Sequence, residues 1–329
     1  MENNALTSNL VAKHPMGIRL LSTEEIAVTD LGPLTQLQGT WTGKPDNGWN
    51  VISVPGPNQV PAPAPTPGAP AIPVPEVQTD GFILEVIPYE ETLTFSPVVL
   101  ATNRGPFING VEQNQELAGL MYEQIITSTC TTDFCHKRGF DSGNIIHAET
   151  GFLLYIRNLN SNFDIVRLSN IPHGNSLLAL GESSTVMPPD NKFFGEASTI
   201  PTGLNGQPLL DYGITQFDTP QFSDFDQKDP NTFLSATLGA DQLTALTTLT
   251  FSTKNQDGGV LSIPFIQQNI KTTDVEATFW IETIANGVAG TETLQLQYSQ
   301  TINLVFPPTG STAPVIWPHV TVNTLQKTS

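Results

Sequence analysis

The sequence predicts an all-β fold, most simply a closed antiparallel barrel with long insertions. Three observations carry that prediction. Several segments alternate apolar and polar residues with a period of two. The longest runs from Leu294 to Phe306, where Leu296, Tyr298, Ile302, Leu304 and Phe306 share a face that only Gln300 interrupts. Turn formers are abundant, with 27 prolines and 26 glycines in 329 residues, and charged residues make up only 13%. Helical periodicity is nowhere sustained long enough for the crossovers of a parallel sheet, and no repeat of roughly 20 to 50 residues recurs. Closure follows from the number of strands, because an open sheet would leave edges that a barrel removes.

Residues 1–30 read as an N-terminal arm, with His14 exposed to solvent, and residues 31–329 as a single barrel domain. A short helical or turn segment, Leu31 to Leu37, precedes a first strand at Gly39-Thr40-Trp41-Thr42-Gly43. The Pro-rich insertion 55–78 contains Pro61-Ala62-Pro63-Ala64-Pro65. Proline has no N–H to give a ladder, so this stretch is expected as an extended surface excursion. Strands follow at Phe82 to Ile87, Glu91 to Phe95, Gly119 to Ile126, Ile145 to Ile156, Phe163 to Leu168 and Ser176 to Leu180. The irregular insertion 183–235 is too long for a plain loop and is expected to carry short elements or to cover an opening. The strand pattern resumes at Leu243 to Phe251, Val260 to Phe265 and Val275 to Ile281, before the long closing strand. Short turns such as Asn255-Gln256-Asp257-Gly258-Gly259 imply antiparallel neighbours.

A formal charge of -18, from 31 acidic and 13 basic residues, argues against nucleic acid and anionic membrane surfaces as partners. No apolar run reaches the length of a transmembrane helix. The N-terminus shows no charged-then-apolar signal pattern, so cytoplasmic residence is the default. Homo-oligomerisation stays open. Cys130 and Cys135 match neither the redox C-x-x-C nor a four-ligand zinc framework. A local disulfide would suit an oxidising compartment, but a surface loop with two thiols is the preferred reading. His136 beside Cys135 lacks a further ligand nearby. No G-x-S-x-G elbow, serine–histidine–carboxylate motif or phosphate-cradling glycine loop is present.

Three histidines merit weighing. His147 and Glu149 lie two apart in a strand and therefore share a face, which favours a structural hydrogen-bonded pair. His173, before Gly174, reads as an ordinary turn residue. His319 stands in Trp317-Pro318-His319-Val320-Thr321-Val322, an apolar setting where a histidine is either a satisfied core residue or a ligand. Arg104 and Arg167 read as strand-end or surface charges.

Three segments resemble the nitrobindin-type haem-binding β-barrels, which are lipocalin-like. They are Gly39-Thr40-Trp41-Thr42-Gly43, similar to an opening G-x-W-x-G strand; His147-Ala148-Glu149-Thr150-Gly151-Phe152 with the later Pro172-His173-Gly174 turn; and Tyr298 through His319-Val320-Thr321-Val322-Asn323-Thr324-Leu325. The resemblance implies haem b as cofactor, His319 as the axial iron ligand, and Trp41, Gly43 and His173 as further cofactor-binding residues. It also implies chemistry with nitric oxide, peroxynitrite or peroxide, of the kind a peroxynitrite isomerase or weak haem peroxidase performs. The chain departs from the family after Gly43, where glycines give way to Lys44-Pro45-Asp46-Asn47-Gly48-Trp49 and Trp49 would add bulk beside a macrocycle. Two other classes compete: a lipocalin-like carrier of an apolar small molecule without iron, and a structural or interaction barrel filled by side chains such as Trp49 and Trp280.

Overall fold

The computed structural model describes residues 30–55, 81–157, 163–187, 192–208, 226–238, 242–268, 270–285, 291–308 and 312–328. The expected N-terminal arm, with His14, and nearly all of the Pro-rich insertion lie outside them. A 3-10 helix, Gly32–Leu37, leads into β1 (Gly39–Pro55). Then come β2 (Phe82–Asn103), a small hairpin of β3 (Phe107–Ile108) and β4 (Val111–Glu112), and β5 (Gln115–Ser128). Helix α1 (Asp133–Arg138) separates β5 from β6 (Ile145–Ile156), which is followed by β7 (Ile165–Ile171) and β8 (Asn175–Val186). The bridge strand β9 (Thr202–Gly203) and α2 (Asn231–Leu238) precede β10 (Leu243–Ser252), β11 (Gly259–Ser262) and α3 (Pro264–Gln267). The chain ends on β12 (Lys271–Ala285), β13 (Glu292–Phe306) and β14 (Val315–Lys327).

Among the described residues, ten strands run β1-β2-β5-β6-β7-β8-β10-β12-β13-β14, and β14 pairs back onto β1. Every neighbour is antiparallel, so the ring is an up-and-down barrel, as the alternation predicted. No helix among these residues is long and apolar enough to cross a membrane.

Three strand boundaries differ from expectation, each for a local reason. The segments at 82–87 and 91–95 are one strand, β2. Pro88, which cannot donate to a ladder, is accommodated near the irregularity in β1, where register slips between Gly43 and Gly48. The strand expected over Val260 to Phe265 stops at Ser262, because Pro264 is suited to the first turn of α3. Residues 183–186 belong to β8 rather than to the insertion.

Two apolar clusters explain why parts of the sequence alternate and other parts do not. The inner cluster fills the barrel with Trp41, Leu93, Phe95, Leu120, Leu153, Leu249, Phe251 and Leu296, and Leu34 and Leu37 of the 3-10 helix plug one end. The Trp41 indole N–H donates to the Leu37 carbonyl at 2.7 Å and ties that plug to β1. The second cluster uses the opposite faces of β1 and β14, through Trp49, Val51, Val320 and Val322. Residues 193–200 and α2 cover it: Phe194 meets Trp280 edge-on at 4.9 Å, and Phe233 meets Trp49 at 5.9 Å. Each large side chain so buried contributes roughly 1.5–3 kcal/mol. The insertion therefore covers a flank of the barrel. Trp49 and Trp280 pack there, so neither Trp49 crowding a macrocycle nor the pair filling the interior is correct.

Cys130 and Cys135 form a buried disulfide, which corrects the reading as two surface thiols. Between them Thr132 caps α1 by accepting from the Cys135 N–H at 3.3 Å, and Gly139 ends the helix at φ 79°. Arg138 of α1 reaches the buried Glu85 at 2.7 Å. Disulfides persist in oxidising compartments and are rare in the cytosol, so this bridge weighs against the cytoplasmic default. Replacing both cysteines by serine is expected to cost about 2 kcal/mol, the chain-entropy value for so short a loop. The urea midpoint reads it, and an unchanged midpoint would mean the bridge contributes nothing.

Candidate functional site

At the end of the barrel away from the 3-10 helix lies a cavity of ≈ 290 Å³. Its walls are mostly apolar, including Ile126, Ile171, Leu177, Val275, Ile302 and Leu304, with Ile266 and Ile270 closing over from α3 and the residues after it. The mouth segment is tied down where the Ile263 N–H donates to the Gly174 carbonyl at 2.9 Å. Polar groups gather on the floor: Tyr89, Gln124, Tyr298 and Gln300, with Asn50, His147, His173 and His319 on the walls and rim.

Two buried networks hold that floor. In the first, Glu91 receives Gln124 Nε2 at 2.7 Å on one oxygen, and the Tyr298 hydroxyl at 2.6 Å and Asn323 Nδ2 at 2.8 Å on the other. The Tyr89 hydroxyl lies 2.9 Å from that of Tyr298 and 3.0 Å from the Val322 carbonyl. Burial raises the Glu91 carboxyl above its ordinary range, and hydrogen bonds from Tyr298, Gln124 and Asn323, with His147 nearby, offset part of that rise. Burial also lifts Tyr89 and Tyr298 well above the ordinary phenol value, so both remain neutral hydroxyls.

The second network centres on Arg167, whose guanidinium contacts Glu149 at 2.6 Å, the Tyr122 hydroxyl at 3.1 Å and Gln300 Oε1 at 2.7 Å. Tyr122 also donates to Glu149, and His147 Nε2 stands 3.4 Å from that carboxylate's other oxygen. Burial opposes the charge on Glu149, yet Arg167, His147 and Tyr122 hold its carboxyl well below the usual range. The Arg167 ring neighbours Phe279 and Tyr122 lie 5.8 and 5.7 Å from its guanidinium carbon. Arg167 is thus an interior ion-pair residue and not a surface charge. The His147–Glu149 pair is present as expected, while Arg104 is exposed.

The opening-strand glycines serve these networks. A Cβ on Gly43 would lie 2.7 Å from the Asn323 side chain, and one on Gly48 would lie 2.4 Å from the Tyr89 ring. The first gives room to a partner of Glu91, and the second to Tyr89, which contacts the Tyr298 hydroxyl. Gly43 and Trp41 lie outside the cavity lining, whereas His319 and His173 are in it. His173 sits exposed on the rim with its ring 5.6 Å from that of His147. His319 shows one edge to the cavity and is otherwise enclosed by protein. Burial, and then His147 and His173 nearby, push its pKa down to about 4, so it is neutral at neutral pH. Its Nε2 is engaged by Asn50 Oδ1, an acceptor that fixes the proton on that nitrogen.

Haem does not fit these residues as they stand. Pockets for drug-sized ligands run from roughly 300 to 1,000 Å³; this cavity lies at the floor of that range, and a porphyrin is bulkier than most such ligands. The His319 nitrogen facing Asn50 carries a hydrogen, which leaves only Nδ1 with a lone pair. Among the described residues, no group of three or more His, Cys, Asp or Glu is placed to hold a metal ion.

No protein-family model and no curated protein matches the sequence. Among solved structures, the crystal structure of Rv2717c from M. tuberculosis is similar at 14% identity, over 91% of this chain and 100% of that one, with a TM-score of 0.36. A likeness at that level carries no argument about the site.

Sequence reasoning missed Glu91 and Gln124, and placed Arg167 at a strand end or on the surface rather than in the interior. One signal was available: Gln300, the break in the apolar face of β13, is the Arg167 partner.

Removing Arg167 as Arg167→Met is expected to cost about 3–5 kcal/mol by leaving Glu149 buried and uncompensated. The double variant with Glu149→Gln should lose less than the sum of the single changes in urea unfolding; strict additivity would deny the pairing. His319 favours its neutral form in the folded state. Its contribution is therefore complete above the ordinary value of 6.5 and is lost as pH falls from there toward about 4. His319→Gln should flatten the stability–pH curve across that interval, and a curve with undiminished slope would rule this out.

Proposed function

We propose that this barrel binds a small, largely apolar molecule in the cavity at its open end, as a carrier or receptor-like module. One observation carries the reading: a barrel plugged at one end keeps a cavity of ≈ 290 Å³ at the other, with apolar walls above a polar floor. A barrel serving only as a structural element would gain stability by filling that space, since each unfilled methyl-sized void costs about 1 kcal/mol. The polar floor adds direction, because carboxamides and hydroxyls tied to buried charges can orient an occupant that the walls merely enclose.

Native mass spectrometry of the purified protein, followed by organic extraction, should recover a bound small molecule. Ile302→Trp, which fills the cavity, should abolish its retention. Equal recovery from both proteins would place the molecule elsewhere and end the reading. Haemin serves as the competing occupant in the same preparation. The expected outcome is no Soret shift that depends on His319, and a band lost in His319→Ala would restore iron to the site.

A further inference from the structure

The floor of the cavity has a polarity that its two carboxamides cannot reverse. Gln124 directs its amide nitrogen at Glu91 Oε1, 2.7 Å away, and at the Tyr298 hydroxyl, 3.4 Å away. Both are acceptors, so its carbonyl oxygen is turned aside. Gln300 is held the opposite way. Its carbonyl accepts from Arg167 at 2.7 Å, and a guanidinium only donates, so the amide nitrogen is turned aside. Both side chains are more than nine-tenths buried, at 6% and 8% exposure, and both line the cavity. Among the described residues, neither outward-turned atom has a hydrogen-bond partner, and neither is among the polar atoms sealed off inside the protein. They open on the cavity. Tyr298 and Gln300 share a face of β13, two residues apart, and the Gln124 amide nitrogen lies 3.4 Å from the Tyr298 hydroxyl, so both carboxamides border that residue on the floor.

Resting on the binding function proposed above, we infer that the occupant is a neutral molecule carrying an N–H beside a C=O, a lactam, imide or similar amide edge on an apolar body, read by Gln124 Oε1 and Gln300 Nε2. Gln124 accepts from the ligand N–H and Gln300 donates to the ligand carbonyl. An anion is disfavoured here, because the floor holds two carboxyl groups, Glu91 and Glu149, against the one guanidinium of Arg167. Arg167 is committed to Glu149 and Gln300 and has no donor aimed at a bound carboxylate. A hydrocarbon is disfavoured for the converse reason, since it would strand two buried polar atoms.

Four bicyclic probes of one size separate these possibilities in calorimetric titrations of the full chain. Indane has neither group, indole only the N–H, indanone only the carbonyl, and oxindole both, side by side. Oxindole should bind about a hundredfold more tightly than indane, with indole and indanone between, at about tenfold for each hydrogen bond. Gln300→Glu keeps an acceptor on Arg167 but has no donor to offer. It should erase the advantage of indanone over indane while leaving that of indole over indane. Circular dichroism checks that the variant remains folded, and Gln300→Met gives a neutral replacement if it does not. A flat series in which all four bind overturns this inference and leaves the carrier function standing. No binding by any probe overturns both. An indanone advantage that survives in a folded Gln300 variant removes the assigned donor and with it the inference.

Discussion

A guanidinium inside an apolar barrel stays charged only beside a carboxylate, and the 2.6 Å contact between Arg167 and Glu149 is the interaction on which the interior depends. It joins β7 to β6, reaches β13 through Gln300, and draws in Tyr122 from β5. Buried ion pairs add little net stability, because desolvation consumes most of the Coulombic gain. What this one supplies is geometry. With Arg167 charged and directional, Gln300 can adopt a single orientation, Tyr122 stays a neutral phenol, and the floor above them is polar in a defined pattern.

The second network follows the same logic with a different balance. Glu91 has no guanidinium and is held instead by three neutral donors, so burial raises its carboxyl where Arg167 lowers that of Glu149. Two carboxyl groups in one barrel are thereby set apart by their partners. The opening strand is shaped around this arrangement: Gly43 and Gly48 clear space for Asn323 and Tyr89 rather than for a flat ligand approaching the backbone. A glycine pattern that resembles haem-binding barrels here has a local packing explanation.

The fold was legible because alternation is a property of one strand at a time. The strand Glu292–Phe306 was readable from period two alone, although β14 and not β13 closes the ring onto β1. Where both faces are covered the signal fades, as in Phe82 to Ile87, and only tertiary cover from residues 193–200 and α2 explains the continuous apolar run. The site was less legible because its chemistry is assembled across the barrel. Glu91 and Asn323 are 232 positions apart, and Arg167 and Gln300 are 133 apart, so no local motif announces either pair. His319 lines the cavity, and its partner is Asn50 on the neighbouring strand, 269 positions away. The disulfide was undecidable from spacing, since it depends on how α1 folds the loop back.

The central claim is that buried charges fix a polar floor beneath an open cavity that holds a small molecule. A high-resolution crystal structure of the protein purified without added ligand tests it most directly, through the electron density above Gln124 and Gln300. The account predicts compact organic density with its polar edge on those two side chains, and Arg167 paired with Glu149 below. Density for a macrocycle with metal bonded to His319, or a cavity collapsed onto its own side chains, would contradict it.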